Sequence, residues 1–121
     1  MPLLSILAAS ALLSCTATDG DTLRCGAERV RLIGIDAPEL PGHCRRGRRC
    51  AEGDPWASKD ALQRLVRGRP IRLERHGEDI YGRTLAFAWA GKVSLSCAQL
   101  RAGQAEYVQR WDIDGRAGRC R

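Results

Sequence analysis

The chain has 121 residues, of which 44% are hydrophobic, and a formal net charge of +6. This length allows one domain with a single modest core, and the hydrophobic share excludes a wholly disordered protein. The positive charge favours an anionic partner such as nucleic acid. Only Lys59 and Lys92 are lysines among the 20 basic residues. Arginine enrichment is typical of phosphate recognition and also of a GC-rich genome, so composition does not separate these two explanations.

The N-terminus is an apolar run with small residues at Ala9 and Ala11, a pattern typical of an export cleavage site. Residues 1–11 are therefore interpreted as a signal peptide or its remnant, and the protein is expected to be secreted or periplasmic. A lipoprotein box at Cys15 is a weaker alternative, because Cys15 fits the hairpin that follows. The run is too short to span a bilayer as a helix, so no stable membrane insertion is expected.

Three strands are predicted before the first helix. Residues 13–23 read as a hairpin that turns at Gly20, and residues 25–28 form a second tight turn. Residues 29–35 alternate as a third strand. The prolines of residues 37–42 then end the ladder, and residues 43–53 form a basic loop.

A helix follows this loop, with Asp54 as its N-cap, Pro55 in its first turn and Gly68 at its end. Residues 71–75 and 83–89 are predicted as the fourth and fifth strands. Ser94 or Ser96 caps a short second helix that continues to residue 102. The order of three strands, a helix, two strands and a helix predicts a small five-stranded β-barrel of the OB type with helices (α+β).

Six cysteines without a Cys-x-x-Cys pair favour disulfides over zinc, and therefore an oxidising compartment. Cys15 and Cys25 are symmetric about Gly20, so the hairpin places them opposite each other. Cys44 and Cys50 bracket the basic loop. Elimination leaves one further pair, while other connectivities remain open on sequence grounds. The candidates are Cys15, Cys25, Cys44, Cys50, Cys97 and Cys120.

Carboxylates and arginines are concentrated in three short segments: residues 19–22, 31–39 and 81–83. Oxygen donors at Asp21, Asp36 and Glu39 suit a divalent cation such as calcium, and arginines suit phosphate. Together they are typical of a phosphodiester hydrolase. Arg31 and Asp36 are an odd number of residues apart, so they converge only if the strand bends at Gly34 or if Asp36 has left it.

These segments resemble the staphylococcal nuclease (thermonuclease) family. Residues 19–22 read Asp-Gly-Asp-Thr, residues 31–39 fit Arg-Leu-x-x-Ile-Asp-x-Pro-Glu, and residues 79–83 fit Asp-x-Tyr-Gly-Arg, in the family's order. Residues 100–105 also resemble the end of the family's second helix. The resemblance implies an OB-fold nuclease domain over residues 12–111, an irregular tail over 112–121, and a third helix that is truncated or absent.

The resemblance also implies the role of each site residue. Asp21 and Asp36 would bind Ca²⁺ through their carboxylates and Ala37 through its backbone carbonyl. Glu39 would act on the attacking water as general base or orienting group. The remaining residues would contact the substrate, Arg31 and Arg83 at the scissile phosphate and Tyr81 beside a phosphate. Where the family has tyrosines near the base pocket, this chain has Gln109 and Trp111, so Trp111 either stacks on a base or packs under the C-terminal tail.

Two positions depart from the family pattern. Ala37 stands where threonine is usual and Ile80 where lysine occurs, so one phosphate contact is missing. The function expected is a calcium-dependent nuclease acting on DNA or RNA as a monomer. The alternatives are a catalytically inactive nucleic-acid-binding OB-fold module and a disulfide-rich exported inhibitor or structural protein. The basic loop, with Arg45, Arg46, Arg48 and Arg49, either contacts a nucleic-acid backbone or is simply solvated.

Overall fold

The first hairpin opens the fold in a computed structural model that describes residues 11–120. Strands β1 (Cys15–Asp19) and β2 (Thr22–Cys25) pair antiparallel, with Gly20 in the turn between them. A Cβ atom on Gly20 would lie 1.7 Å from Ser58 Oγ, so only glycine fits this turn. The predicted signal peptide lies outside the described residues except for Ala11.

The predicted third strand is wrong in its second half. Strand β3 (Glu28–Leu32) ends three residues before the predicted end, and β4 (Ile35–Asp36) follows after a turn. Gly34 has φ of +86° in this turn, a conformation that an L side chain resists. β4 therefore leaves the main sheet and pairs with β8 (Glu106–Tyr107), which was not predicted.

The two predicted helices are present with the expected N-caps. Helix α1 (Pro55–Val66) begins after Asp54, whose Oδ1 accepts the N–H groups of Trp56 and Ala57 at 2.9 and 3.2 Å. Helix α2 (Leu95–Arg101) is capped by the Ser94 side chain. Within residues 11–120 no helix has the length and apolar character needed to cross a membrane.

The main sheet closes into a barrel. Strands β5 (Ile71–Glu78), β6 (Thr84–Ala90) and β7 (Val93–Ser94) complete it. The strand order is β1-β2-β3-β6-β5, with β3 and β6 parallel, and β7 pairs with β6. Leu13, just before β1, exchanges two 2.8 Å backbone hydrogen bonds with Ile71 of β5, which joins the two ends of the sheet. The predicted OB-type α+β fold is confirmed.

Apolar side chains from the barrel and both helices form the main core. Its largest fully buried members are Leu23, Val30, Leu32, Ile35, Leu62, Val66, Ile71 and Leu95. Because β2, β3 and β4 all contribute to this core, the turns that carry the acidic residues start from fixed strand ends.

The C-terminal segment is held by one carboxylate. Asp112 accepts backbone N–H groups from Ile113, Ala117 and Gly118 and the hydroxyl of Tyr107. Burial acts to raise the pKa of Asp112, but these hydrogen bonds outweigh burial and lower it. Residues 109–111 and 118–120 form short 3₁₀ turns, and no third α-helix occurs among residues 11–120.

Three disulfides join Cys15 to Cys25, Cys44 to Cys50, and Cys97 to Cys120. The last joins α2 to the C-terminal segment across a sequence separation of 23.

Replacing Cys97 and Cys120 together by serine is expected to lower the free energy of unfolding by about 3 kcal/mol, because the unfolded chain gains the freedom of an open loop. Urea unfolding monitored by circular dichroism measures this change. An unchanged midpoint and slope would contradict the prediction.

Two surface ion pairs make the free energy of unfolding depend on pH in the acid range. Hydrogen bonds from Arg75 hold the pKa of Glu28 at about 2, and those from Arg116 hold the pKa of Glu74 at about 2, against an ordinary 4.5. Their stabilisation is therefore complete above the unfolded pKa and is lost as pH falls from 4.5 to about 2. Solvent screening limits each pair to about 1 kcal/mol or less. Urea unfolding across this range should show a smaller acid slope for Glu28→Gln than for the unaltered protein.

Candidate active site

Asp21 lies in the turn before β2 and is only 5% exposed. Its Oδ1 accepts the Thr22 hydroxyl at 2.8 Å, and its Oδ2 accepts the Ala37 N–H at 2.8 Å. The turn is supported from behind by Gln99 of α2, whose amide donates to the Gly20 carbonyl at 2.8 Å. These contacts fix the carboxylate against the segment that follows β4.

Arg31 and Asp36 converge because the chain folds back at Gly34. Arg31 Nη1 donates to the Ile35 carbonyl at 2.9 Å, across the turn. Its Nη2 lies 3.3 Å from Asp21 Oδ2 and 3.4 Å from Asp36 Oδ1. One buried guanidinium therefore joins the two carboxylates that the sequence assigns to a metal. The bend expected at Gly34 supplies the geometry.

Burial disfavours the ionised form of two carboxylates in this region, Asp36 and Asp19. Burial raises the pKa of Asp36, and the charge of Asp21 raises it further, against the opposing effects of Arg48 and Arg31. Burial also raises the pKa of Asp19, with the charge of Asp21 as the next contribution. Additional positive charge would stabilise the ionised forms.

Glu39 is held by an arginine of the basic loop. Arg48 Nη1 donates to Glu39 Oε1, and Arg48 Nη2 lies 3.1 Å from both Asp36 oxygens. Burial opposes the charge of Arg48, but the charges of Asp36 and Glu39 raise its pKa overall. The loop arginine thus spans a predicted metal ligand and the predicted water-activating group.

Arg83 is positioned by a tight turn between β5 and β6. Asp79 accepts the backbone N–H groups of Tyr81 and Arg83, both at 2.9 Å, and the Arg83 Nε–H at 2.7 Å. The Tyr81 ring lies between two guanidinium groups, 3.6 Å from Arg45 and 5.6 Å from Arg83. Arg83 keeps 28% of its side chain exposed, so it remains accessible from the cleft.

Trp111 lies on the opposite side, in the 3₁₀ turn after β8. Its ring is 36% exposed and is approached by three guanidinium groups, those of Arg110 at 4.9 Å, Arg31 at 5.2 Å and Arg48 at 5.7 Å. Trp111 is therefore not buried under the C-terminal segment. A base entering this side would meet an aromatic face surrounded by positive charge.

One cleft of about 780 Å³ collects most of the predicted site residues. Asp36 lines a neighbouring depression that shares Arg48 and Trp111 with the cleft. Ala37 is buried and contacts Asp21 through its N–H, so the role of its carbonyl as a metal ligand stays a prediction. The predicted residues that line the cleft itself are Asp21, Arg31, Glu39, Tyr81, Arg83 and Trp111.

The acidic side of the cleft suits a divalent cation. Its donors are carboxylate oxygens, which hard cations prefer. Asp19 Oδ1 is buried and has no hydrogen-bond partner within the described part of the chain, and His43 Nδ1 lies 3.6 Å from it. Among residues 11–120, the ion-pair partners of Asp21 and Asp36 are arginines. An ion there would stabilise buried charge that the protein leaves incompletely compensated.

Sequence reasoning missed three supporting contacts. Nothing in the spacing of the basic loop distinguishes Arg48 from its neighbours, because its partners are set by the path of the loop. The role of Gln99 could not be predicted either, because it lies in α2 and contacts Gly20, 79 residues away in the sequence. Asp79 was detectable, because an aspartate four residues before an arginine in a turn is well placed to hold it.

The chain is similar to proteins of one known family. Residues 29–117 match the family described as staphylococcal nuclease homologue. An uncharacterized endonuclease of Haemophilus influenzae is 34% identical over 102 residues, which cover 80% of this chain and 52% of that protein. Thermonuclease of Staphylococcus intermedius is 32% identical over 93 residues, covering 72% of this chain and 53% of that enzyme.

An uncharacterized endonuclease of Escherichia coli O157:H7 is 31% identical over 101 residues, covering 79% of this chain and 60% of that protein. The chain therefore spans between 52% and 60% of the length of these relatives. The family match includes Arg31, Asp36, Glu39 and Arg83, while Asp21 lies before its first residue.

Proposed function

The chain belongs to the staphylococcal nuclease homologue family, and we propose that it is a calcium-dependent nuclease that hydrolyses phosphodiester bonds of DNA or RNA. The observation that carries this proposal is that carboxylate oxygens of Asp21 and Asp36 both lie within 3.4 Å of Arg31 Nη2. Glu39 lines the same cleft as Asp21 and Arg31. A protein that only binds nucleic acid needs neither the buried carboxylate pair nor Glu39.

Asp21 and Asp36 would hold the cation, with a carbonyl from Ala37 completing the set. When bound, calcium would neutralise part of the charge on a phosphate oxygen. Glu39 would accept a proton from the attacking water or aim it, because its carboxylate faces the same cleft. In the protein without cation or substrate, Arg48 holds this carboxylate at the edge of the cleft.

The arginines would act on the phosphate. Arg31 lies against the cation site and Arg83 enters the cleft from the β5–β6 turn, so they approach a bound phosphate from two elements. Their charge-assisted hydrogen bonds would strengthen as negative charge increases in the transition state. Tyr81 and Trp111 would lie beside neighbouring parts of the strand.

The test is digestion of heat-denatured DNA by the unaltered protein in calcium and in excess chelator. Cleavage in calcium that stops in chelator supports the proposal. Calcium-independent cleavage would contradict the cofactor assignment. Binding of the DNA without any cleavage would select an inactive binding module. If the protein neither binds nor cleaves the DNA, the result would favour a disulfide-rich inhibitor or structural protein.

We also propose that the protein is exported and acts as a monomer. Three disulfides in a described span of 110 residues support an oxidising compartment. The mass of the mature, non-reduced protein reports the cleavage site and the oxidation state of the cysteines together. Light scattering reports the oligomeric state.

A further inference from the structure

The basic loop is closed by the disulfide between Cys44 and Cys50, six residues apart. Two of its arginines, Arg45 and Arg48, line the cleft. Arg45 stacks on Tyr81, and Arg48 lies between Asp36 and Glu39. Arg46 is exposed and has no ion pair within residues 11–120. The loop therefore directs particular guanidinium groups into the site rather than presenting a uniform basic surface.

Arg48 is bound to the two carboxylates that the proposed reaction requires for other purposes. Its Nη2 lies 3.1 Å from both oxygens of Asp36, a proposed cation ligand. Its Nη1 contacts Glu39, the group proposed to act on water. A divalent cation at Asp36 would compete for the same oxygens and repel the guanidinium.

A displaced Arg48 stays in the cleft and stays charged. The bridge between Cys44 and Cys50 restricts the loop, and His43 N–H fixes its start by donating to the Leu40 carbonyl at 2.9 Å. An arginine side chain does not lose its proton near neutral pH. Once a cation has taken Asp36, the guanidinium needs another anion, and a phosphate of the nucleic acid is the anion that the proposed reaction brings into the cleft.

We propose that Arg48 is a substrate-binding residue that exchanges Asp36 and Glu39 for a phosphate of the nucleic acid when the cation binds. This inference rests on the proposed nuclease function and extends it. Arg48 would then have two opposite effects. It would weaken cation binding in the free protein, and it would strengthen nucleic-acid binding once the cation is bound. A purely structural residue would affect both kinds of binding in the same direction.

The experiment compares Arg48→Ala with Arg46→Ala, which makes the same charge change in the same loop. Calcium affinity is measured by calorimetry without nucleic acid, and KM and kcat are measured on single-stranded DNA in calcium. We expect Arg48→Ala to bind calcium several-fold more tightly and to raise KM about tenfold, with a smaller change in kcat. Arg48→Lys should recover part of the KM effect. Arg46→Ala should change either quantity by no more than about twofold.

The salt dependence gives a second readout. Removing one phosphate contact should reduce the slope of log affinity against log salt by about 1. The inference is overturned if the unaltered protein cleaves DNA in calcium while Arg48→Ala leaves KM unchanged, or if calcium and DNA affinity move in the same direction. If the unaltered protein neither binds calcium nor cleaves DNA, the proposed function fails and this inference fails with it. Circular dichroism melting confirms that each variant is folded.

Discussion

Glu39→Gln is expected to lower kcat for calcium-dependent cleavage of denatured DNA by about 10²–10⁴-fold. An amide of the same shape neither accepts a proton from water nor carries the charge that directs it. The residue is well placed for this role, because it lines the cleft beside Asp21 and its carboxylate is 17% exposed. Initial rates of acid-soluble nucleotide release, at saturating calcium, measure the change.

The matched control is Glu52→Gln, the same chemical change at an exposed position near the basic loop. It should retain full activity. Calcium binding by Glu39→Gln, measured by calorimetry, should persist, because the proposed cation ligands are untouched. If Glu39→Gln keeps more than about a tenth of the activity, the role of Glu39 in activating water is wrong.

Arg31→Ala is expected to lower kcat by about 10²–10³-fold and to lower the free energy of unfolding by about 3–5 kcal/mol without calcium. The catalytic loss follows from removing a donor to the phosphate. The stability loss follows because Asp21 and Asp36, each 5% exposed, lose their shared buried guanidinium. Calcium should restore part of this stability, since it would replace the missing positive charge.

Arg83→Ala separates the two effects. Arg83 is paired with Asp79 in a partly exposed turn, where solvent screens the interaction. Arg83→Ala should lower kcat by a factor similar to that of Arg31→Ala, but it should lower the free energy of unfolding by less than about 1 kcal/mol. Urea unfolding in chelator and in calcium, with rates on denatured DNA, measures both quantities. Equal destabilisation of Arg31→Ala and Arg83→Ala would show that the buried carboxylates do not depend on Arg31.

Local sequence was sufficient for several parts of the fold. Asp54 with Pro55, and Ser94, mark helix starts because an N-cap satisfies backbone groups only two or three residues away. Gly20 marks the first hairpin for an equally local reason. The OB-type order of strands and helices followed from these elements, and the family resemblance added the role expected of each acidic residue and arginine.

Tertiary structure decided how these residues meet. The convergence of Arg31 with Asp36 depends on Gly34, and it is completed by β4 pairing with β8, which comes from a distant part of the chain. Strand periodicity alone placed the two side chains on opposite faces, because it describes a strand that does not bend.

Arg48 shows the same limit more strongly. Four arginines stand within five positions of the basic loop, and their residue type gives each the same chemistry. The path of the disulfide-closed loop selects Arg48 for Asp36 and Glu39 and leaves Arg46 in solvent. The sequence by itself determined the local elements and the set of charged residues. The pairing of those charges was decided only by the tertiary structure, because it depends on the turn at Gly34, on the pairing of β4 with β8 and on the path of the loop, which residue type and spacing do not specify.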